Sequence, residues 1–154
     1  MMNNTIIETK STIYFDMDGT IANLYGVENW LDYLIASDVS PYANAKPMLN
    51  FSAFARVLHK LQKKGFKIGI VSWLSKSGTD KYNAEVTRVK EEWLKKHLPS
   101  LTFDEIKIVK YGTPKSTVVD NKGFLFDDEE KNRIEWGKGA FDVNNIMEIL
   151  KSFL

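Results

Sequence analysis

The carboxylates of Asp16 and Asp18 lie two positions apart, directly after the apolar residues 13–15. Such an apolar run is typical of a buried strand in a parallel sheet. Gly19 permits a sharp turn directly after the second carboxylate. Paired carboxylates at the end of a buried strand are costly unless a charge compensates them, and divalent cations prefer oxygen ligands. The pattern therefore predicts a metal-assisted site at the carboxyl end of an early strand.

Residues 16–20 admit three interpretations. A calcium-binding loop of the EF-hand type also begins with two spaced aspartates, but it requires glycine at its sixth position and glutamate at its twelfth. Ile21 and Val27 occupy those positions, which excludes this loop. The metal clamp of a nucleotide-sugar glycosyltransferase requires a nucleotide-binding fold before the motif, whereas only about a dozen residues precede this one. The third interpretation, a nucleophilic aspartate, depends on further motifs later in the chain.

Three further polar motifs follow, each at the predicted end of a strand or start of a helix. They are the hydroxyl of Ser72 after the apolar run 68–71, the ammonium group of Lys115, and the carboxylates of Asp127 and Asp128 after the apolar run 123–126. Thr113 and Pro114 suit the cap and the first position of a short helix that presents the lysine. Lys107 and Lys110 are alternatives to this lysine, and the second carboxylate pair also suits a helix N-terminus.

The four motifs, in this order and placement, resemble those of the haloacid dehalogenase (HAD) superfamily, and they cover nearly the whole chain. The resemblance implies a Rossmann-like α/β fold with a small cap inserted after the first strand, and Mg²⁺ as the cofactor. Dehalogenases of this superfamily do not need the carboxylate of Asp18, and its transport ATPases have threonine there. The resemblance therefore implies phosphatase or phosphotransferase chemistry, with a small phosphorylated substrate.

The resemblance also assigns roles to individual residues. Asp16 would attack phosphorus and become an aspartyl phosphate, and Asp18 would exchange protons with the leaving oxygen and the hydrolytic water. Lys115 would neutralise charge on the nucleophile and on the phosphoryl group. The implied metal ligands are Asp16, the backbone carbonyl of Asp18, Asp127 and, as second ligand or outer partner, Asp128. The implied phosphate-binding residues are Gly19, Thr20, Ser72 and Trp73.

The apolar runs of the chain predict its architecture. Strand-like runs at 12–16, 67–72, 105–109, 123–127 and 140–143 alternate with helical patterns, which favours parallel βαβ units in a three-layer α/β sandwich. One predicted helix follows residue 50 and ends at Gly65, a second stops before Pro99, and a third begins at Asn145, at capping-box spacing from Glu148. We expect a single domain over 1–154, with a short helical cap insert at 21–50.

The composition excludes several classes of function. The chain has 21 lysine and arginine residues and 20 aspartate and glutamate residues, so its net charge is 21 − 20 = +1. No global positive field would therefore hold duplex nucleic acid. The absence of cysteine excludes disulfides, thiol catalysis and zinc sites built on cysteine. No membrane-spanning run or signal peptide is recognisable, so we expect a cytoplasmic protein. His59 and His97 fall in helical patterns and are interpreted as structural. The sequence carries no signal for oligomeric state.

The substrate is predicted from a second, narrower resemblance. Residues 16–22 and 113–119, followed by the doubled aspartate, are similar to the small-capped 5′(3′)-deoxyribonucleotidases, although the cap segment is shorter here. Tyr25 and Trp73 are the candidates for contact with a nucleobase, because aromatic side chains stack on bases. Trp30 is interpreted as the core of the small cap. The alternatives are a phosphatase of a non-nucleotide metabolite such as a sugar phosphate, and a non-catalytic binding module.

Overall fold

The computed structural model describes residues 11–154. The strands are β1 (Thr12–Phe15), β2 (Ala22–Asn23), β3 (Lys46–Pro47), β4 (Lys67–Trp73), β5 (Glu105–Val109), β6 (Phe124–Phe126) and β7 (Ala140–Phe141). The α-helices are α1 (Trp30–Ile35), α2 (Ser40–Asn44), α3 (Phe51–Lys63), α4 (Asp80–His97), α5 (Glu130–Trp136) and α6 (Ile146–Ser152). Two 3-10 helices cover Leu24–Gly26 and Lys115–Thr117.

Five of the strands form one parallel sheet in the order β5-β4-β1-β6-β7. Strand β1 is central, with β4 and β6 as its two neighbours. All four residues of β1 are buried, because helices cover both faces of the sheet. The predicted α/β fold with a central parallel sheet is therefore confirmed, and the motif-bearing strands β4, β1 and β6 lie side by side.

The two faces of β1 pack against different layers. Ile13 and Phe15 belong to a large apolar cluster that includes side chains from α3, α6 and the second half of α4. Tyr14 points to the opposite face, where it lies in a smaller cluster with Trp136 of α5. This alternation is the period of two that a strand imposes on its side chains. The same alternation determines which side chains at the strand ends point to each face of the sheet.

The helices begin and end close to the positions predicted from the sequence. Asn50 caps α3 by accepting a hydrogen bond from the Ala53 backbone, and Gly65 follows its end with a φ of +101°. Helix α6 begins at Ile146 as predicted, but the Asn145 side chain makes no capping hydrogen bond, so the expected capping box is not formed. Within residues 11–154, no helix is long and apolar enough to cross a membrane.

The segment 21–50 is more varied than the helical insert predicted for it. The short strands β2 and β3 pair antiparallel at its two ends, and α1 and α2 lie between them. No residue of α1 is buried, although its side chains are mostly apolar. Tyr42 of α2 packs with Tyr82, Val86 and Val89 of α4. The segment is therefore held on α4, where Trp93 also donates a hydrogen bond to the Ala45 carbonyl at 2.8 Å.

Candidate active site

The carboxyl ends of three adjacent strands bring the predicted chemistry together. Asp16 follows β1, Ser72 lies one residue before the end of β4, and Asp127 follows β6. The Asp16 backbone N–H donates to the Phe126 carbonyl at 3.0 Å, which continues the β1–β6 pairing as far as the site. Motifs far apart in sequence therefore meet because parallel strands end at the same edge of the sheet.

The turn after β1 depends on Gly19. This residue has a φ of +81°, which is unfavourable for residues with a Cβ atom, and a Cβ there would lie 2.3 Å from Oδ2 of Asp128. The backbone N–H groups of Thr20, Ile21 and Ala22 all point at the Met17 carbonyl, within 3.1 Å. The glycine thus lets the loop turn back sharply while the carboxylate after β6 lies directly against it.

Lys115 connects the ends of two strands. It lies at the start of the second 3-10 helix and is 2% exposed. Its Nζ atom donates to Asp16 Oδ1 at 2.9 Å and to Asp127 Oδ2 at 2.7 Å. Burial lowers the pKa of Lys115, but the two carboxylates raise it, and the net result lies above its usual value. The ammonium group is therefore held charged between the carboxylates.

The predicted helix cap before Lys115 is wrong. Pro114 occupies the cap position itself, and no side chain of the described residues 11–154 caps this short helix. The carbonyl of Thr113 instead accepts a hydrogen bond of 2.8 Å from the indole Nε1 of Trp73. The proline and the indole contact therefore position the lysine, and Thr113 contributes through its backbone and not through its hydroxyl.

Three carboxylates provide a site that fits a divalent cation. Carboxylate oxygens of Asp16, Asp127 and Asp128 lie within 4.8 Å of one another. Burial and the charge of Asp16 raise the pKa of Asp127 to about 6 and that of Asp128 to about 8. The raised pKa values show that burial and repulsion between the carboxylates disfavour their charged forms, and three carboxylates lie beside the one ammonium group of Lys115. Clustered carboxylate oxygens with excess negative charge are the donor set that Mg²⁺ prefers.

Asp18 has a partner that the sequence did not reveal. Its Oδ2 atom accepts a 2.8 Å hydrogen bond from Nζ of Lys90, a residue of α4 that is 1% exposed. Burial raises the pKa of the Asp18 carboxyl above its usual value, although Lys90 opposes this. A signal was present in the sequence, because Lys90 lies at helical spacing among Val86, Val89 and Trp93 on the apolar face of α4.

The four predicted phosphate-binding residues have different surroundings. The Ser72 hydroxyl is fully buried and accepts a 2.8 Å hydrogen bond from Lys90, which leaves its own proton to donate elsewhere. The backbone N–H of Gly19 donates to Ala22, and the Thr20 hydroxyl donates to Asp16 at 3.1 Å. Of these four residues, Trp73 is the one that lines the open cleft described in the next paragraph.

An open cleft of about 460 Å³ adjoins Asp16, Asp18 and Lys115. Its wall is rich in aromatic and aliphatic side chains, namely Leu24, Tyr25, Trp30, Leu31, Leu34, Ile35, Tyr42, Trp73, Leu74 and Tyr111. The rings of Trp73 and Tyr111 lie 4.8 Å apart, and the Lys131 ammonium lies 5.4 Å from the centre of the indole. The cleft therefore joins a cluster of acidic side chains to an apolar wall with a cationic rim.

The predicted substrate-contact residues both line this cleft. Tyr25 is 46% exposed and packs edge-to-face on Trp30 with their ring centres 4.9 Å apart. Trp30 thus lines the cleft as well as packing within the segment 21–50. Tyr111 was missed, because it follows β5 in a short turn that no motif marks. His59 lies outside the cleft and contacts Ser100.

No family model matches the chain, and no curated protein sequence does. Among solved structures, the chain is similar to a D,D-heptose 1,7-bisphosphate phosphatase from Burkholderia thailandensis. The two are 10% identical, with a TM-score of 0.58 over 94% of this chain and 98% of the phosphatase. At this identity the likeness establishes the fold. The chain therefore shares the α/β fold of that phosphatase, with the central parallel sheet that the sequence predicts.

Proposed function

We propose that the chain is a Mg²⁺-dependent phosphomonoester hydrolase of the haloacid dehalogenase type. The observation that carries this proposal is the contact of Asp16 with Lys115, beside the carboxylates of Asp127 and Asp128 and in the wall of an open cleft. A nucleophile, a buried cation and a cation-binding carboxylate cluster are the parts that phosphoryl transfer requires. Asp18 adds a carboxylate on the opposite side, towards α4.

The proposed reaction has two steps, because a covalent intermediate divides a slow hydrolysis into easier parts. In the first step, the carboxylate of Asp16 bonds to phosphorus while the bond to the leaving oxygen breaks, and Asp18 gives that oxygen its proton. In the second step, a water oxygen bonds to phosphorus and the bond to Asp16 breaks, while Asp18 takes a proton from the water. Inorganic phosphate then leaves, and both carboxyl groups return to their starting forms.

The other residues position the reacting groups and stabilise negative charge. Lys115 holds Asp16 in place and stabilises negative charge on the transferring phosphoryl group. The hydroxyl proton of Ser72 is available to a phosphate oxygen, and Trp73 forms the adjacent wall. Asp16, the backbone carbonyl of Asp18, Asp127 and Asp128 would hold Mg²⁺. When bound, Mg²⁺ supplies positive charge that offsets the carboxylates and polarises the phosphoryl group.

The finer proposal is that the substrate is a nucleoside or deoxynucleoside monophosphate. Tyr25, Trp73 and Tyr111 line the cleft beside the carboxylates, and aromatic faces stack on nucleobases. We assign residues 21–50 as the cap, since α1 forms part of the same wall. A small cap with exposed apolar residues fits a substrate with one apolar face and a partly open binding mode.

The second candidate substrate is a sugar phosphate. The similar solved structure is a heptose bisphosphate phosphatase, and the cleft also contains hydroxyl and amide side chains that suit a polyhydroxy substrate. These are Ser37, Ser77, Thr79 and Asn132. A non-catalytic binding module is the third candidate, and it predicts binding of phosphorylated ligands without turnover.

Phosphate release from the purified chain separates these candidates. The substrate panel contains nucleoside and deoxynucleoside monophosphates, sugar phosphates and p-nitrophenyl phosphate, each with Mg²⁺ and with EDTA. We expect Mg²⁺-dependent release that is greatest with the nucleotides. If phosphate is released mainly from sugar phosphates, the phosphatase proposal is retained and the proposal of a nucleotide substrate is rejected. Absence of release from every ester in the presence of Mg²⁺ contradicts the phosphatase proposal.

A further inference from the structure

Lys90 is a buried cation that the proposed mechanism leaves without a role. Lysine is among the residues least often fully buried, and Lys90 is 1% exposed in the middle of the long helix α4. Its Nζ atom makes three hydrogen bonds, to Asp18 Oδ2 at 2.8 Å, to the Ser72 hydroxyl at 2.8 Å and to the Trp73 carbonyl at 2.7 Å. These contacts join α4 to the loop after β1 and to the end of β4.

The three contacts use the whole hydrogen-bonding capacity of the ammonium group. A lysine ammonium has three N–H donors and no acceptor, so none remains for a phosphate oxygen. The ring of Tyr42 lies 5.2 Å away and shields the group on a further side. Lys90 therefore contacts the substrate only by giving up a bond within the protein. Its effect on the reaction must pass through the groups that it holds.

The contact with Asp18 distinguishes the two oxygens of that carboxyl group. Oδ2 is directed at the buried ammonium, while the Asp18 side chain retains 17% exposure and lines the cleft. Within residues 11–154, no hydrogen bond of the side chain engages Oδ1. Oδ2 is thus held by the protein, and Oδ1 is the oxygen without a hydrogen bond among the described residues.

We propose that Lys90 is a positioning residue for the reaction: by holding Oδ2 of Asp18, it keeps Oδ1 as the oxygen that faces the leaving group. The inference rests on the proposed phosphatase function and adds to it a residue outside the four sequence motifs. The bond between Lys90 and Ser72 serves the same end, because it fixes the acceptor side of the hydroxyl and leaves its proton free. One buried side chain thereby orients groups from two strand ends.

The test uses the dependence of rate on the leaving group. An alkyl phosphate, such as a nucleoside monophosphate, has a poor leaving group that needs a proton, whereas p-nitrophenolate leaves readily without one. Loss of orientation at Asp18 therefore lowers kcat/KM for the alkyl ester far more than for p-nitrophenyl phosphate. We expect Lys90→Met to lower kcat/KM for the alkyl ester about 100-fold, the lower end for general acid–base catalysis, and for the aryl ester less than about tenfold.

Two further variants complete the design. Lys96→Met removes an exposed lysine near the end of the same helix and is expected to retain wild-type rates on both esters. The double variant Asp18→Asn with Lys90→Met removes both partners, so we expect it to fold even if the unpaired carboxylate unfolds the single variant. Its kcat/KM is expected to lie within about tenfold of Asp18→Asn alone, because only the smaller loss through Ser72 is left to add.

The possible results separate the two proposals. Three results would overturn the positioning role of Lys90. They are equal losses of kcat/KM on both esters, no loss on either ester, and a further large loss in the double variant relative to Asp18→Asn. In each of these cases the wild-type chain still releases phosphate, so the phosphatase proposal stands. Absence of turnover by the wild-type chain on every ester contradicts the phosphatase proposal, and the role of Lys90 fails with it.

Discussion

Lys115 donates a buried hydrogen bond of 2.9 Å to Asp16, a residue 99 positions earlier in the chain. The same Nζ atom donates to Asp127 at 2.7 Å, so one ammonium group joins carboxylates that follow two neighbouring strands. Without it, the two buried carboxylates would have no cationic side chain from residues 11–154 between them. The position of the Asp16 carboxylate and the stability of the strand ends therefore depend on the same side chain.

This dependence predicts a large effect of Lys115→Met on stability as well as on rate. Removing one partner of a buried ion pair leaves an uncompensated charge and costs about 3–5 kcal/mol. We expect a loss of this size in the free energy of unfolding, measured by urea denaturation, together with loss of phosphate release. Lys110→Met removes an exposed lysine five positions earlier and serves as the matched control. Equal stability of the two variants would contradict the structural role of Lys115.

The carboxylate cluster predicts an unusual pH dependence of stability in the absence of metal. The pKa of Asp128 is raised to about 8 and that of Asp127 to about 6, while an unfolded aspartate titrates near pH 3.9. A raised pKa in the folded state gives stability that is fully present below the unfolded pKa and is lost as the pH rises through the folded pKa. In EDTA, the protein should therefore lose stability between about pH 4 and pH 8.

Thermal unfolding between pH 5 and pH 8.5 checks this prediction, with EDTA and with Mg²⁺. Mg²⁺ binds the folded chain and should raise the Tm most at high pH, where the carboxylates are charged. Asp128→Asn should flatten the pH dependence in EDTA and reduce the increase in Tm caused by Mg²⁺. A Tm in EDTA that rises steadily up to pH 8, or an unchanged Mg²⁺ effect in the variant, would argue against a metal site at these residues.

Comparing substrates with and without a base in Trp73→Ala should isolate base recognition, because loss of the indole bond beside Lys115 affects both substrates alike. Stacking on an aromatic side chain is worth about 1–3 kcal/mol per base, so KM for a nucleotide should rise by roughly 5-fold to 150-fold. KM for glycerol phosphate, which has no base, should change little in comparison. Trp73→Phe, which keeps an aromatic face but loses the 2.8 Å bond to Thr113, is the matched control. An equal rise in KM for both substrates would contradict the proposal that the substrate is a nucleotide.

Asp18→Asn tests the proposed role of the second carboxylate independently of Asp16. An amide cannot exchange the proton, so turnover of a nucleoside monophosphate should fall at least about 100-fold, the lower end for general acid–base catalysis. Asp120→Asn alters an exposed aspartate and should leave the rate unchanged. The comparison is made as kcat/KM at saturating Mg²⁺. A rate within a few-fold of wild type would remove Asp18 from the mechanism.

The main features of the fold and the site centre could be predicted because they depend on local patterns. Apolar runs that end in polar residues identified β1, β4 and β6, and parallel strands place their carboxyl ends at one edge. Asp16, Ser72 and Asp127 meet for that reason. Gly19 and Gly65 mark turns whose positive φ angles follow from the missing Cβ atom.

Other features depend on packing that the sequence does not encode locally. Lys90 reaches Asp18 across 72 positions, and the contact requires the angle at which α4 crosses the end of β4. The β2–β3 pairing at the two ends of the segment 21–50 involves only two residues per strand, too few to produce a pattern. The helix cap predicted at Thr113 does not form, because Pro114 itself occupies the N-cap position. The Thr113 carbonyl instead accepts a hydrogen bond from Trp73.

The most direct test of the central claim is to trap the phosphorylated aspartate. The wild-type chain is mixed with Mg²⁺ and a substrate that it turns over, quenched in acid within the first turnover and digested for mass spectrometry. The account predicts a phosphoryl group on the peptide that contains Asp16 and none in Asp16→Asn, which should lose all turnover while still binding Mg²⁺ more weakly. Near-wild-type phosphate release by Asp16→Asn would contradict the covalent mechanism.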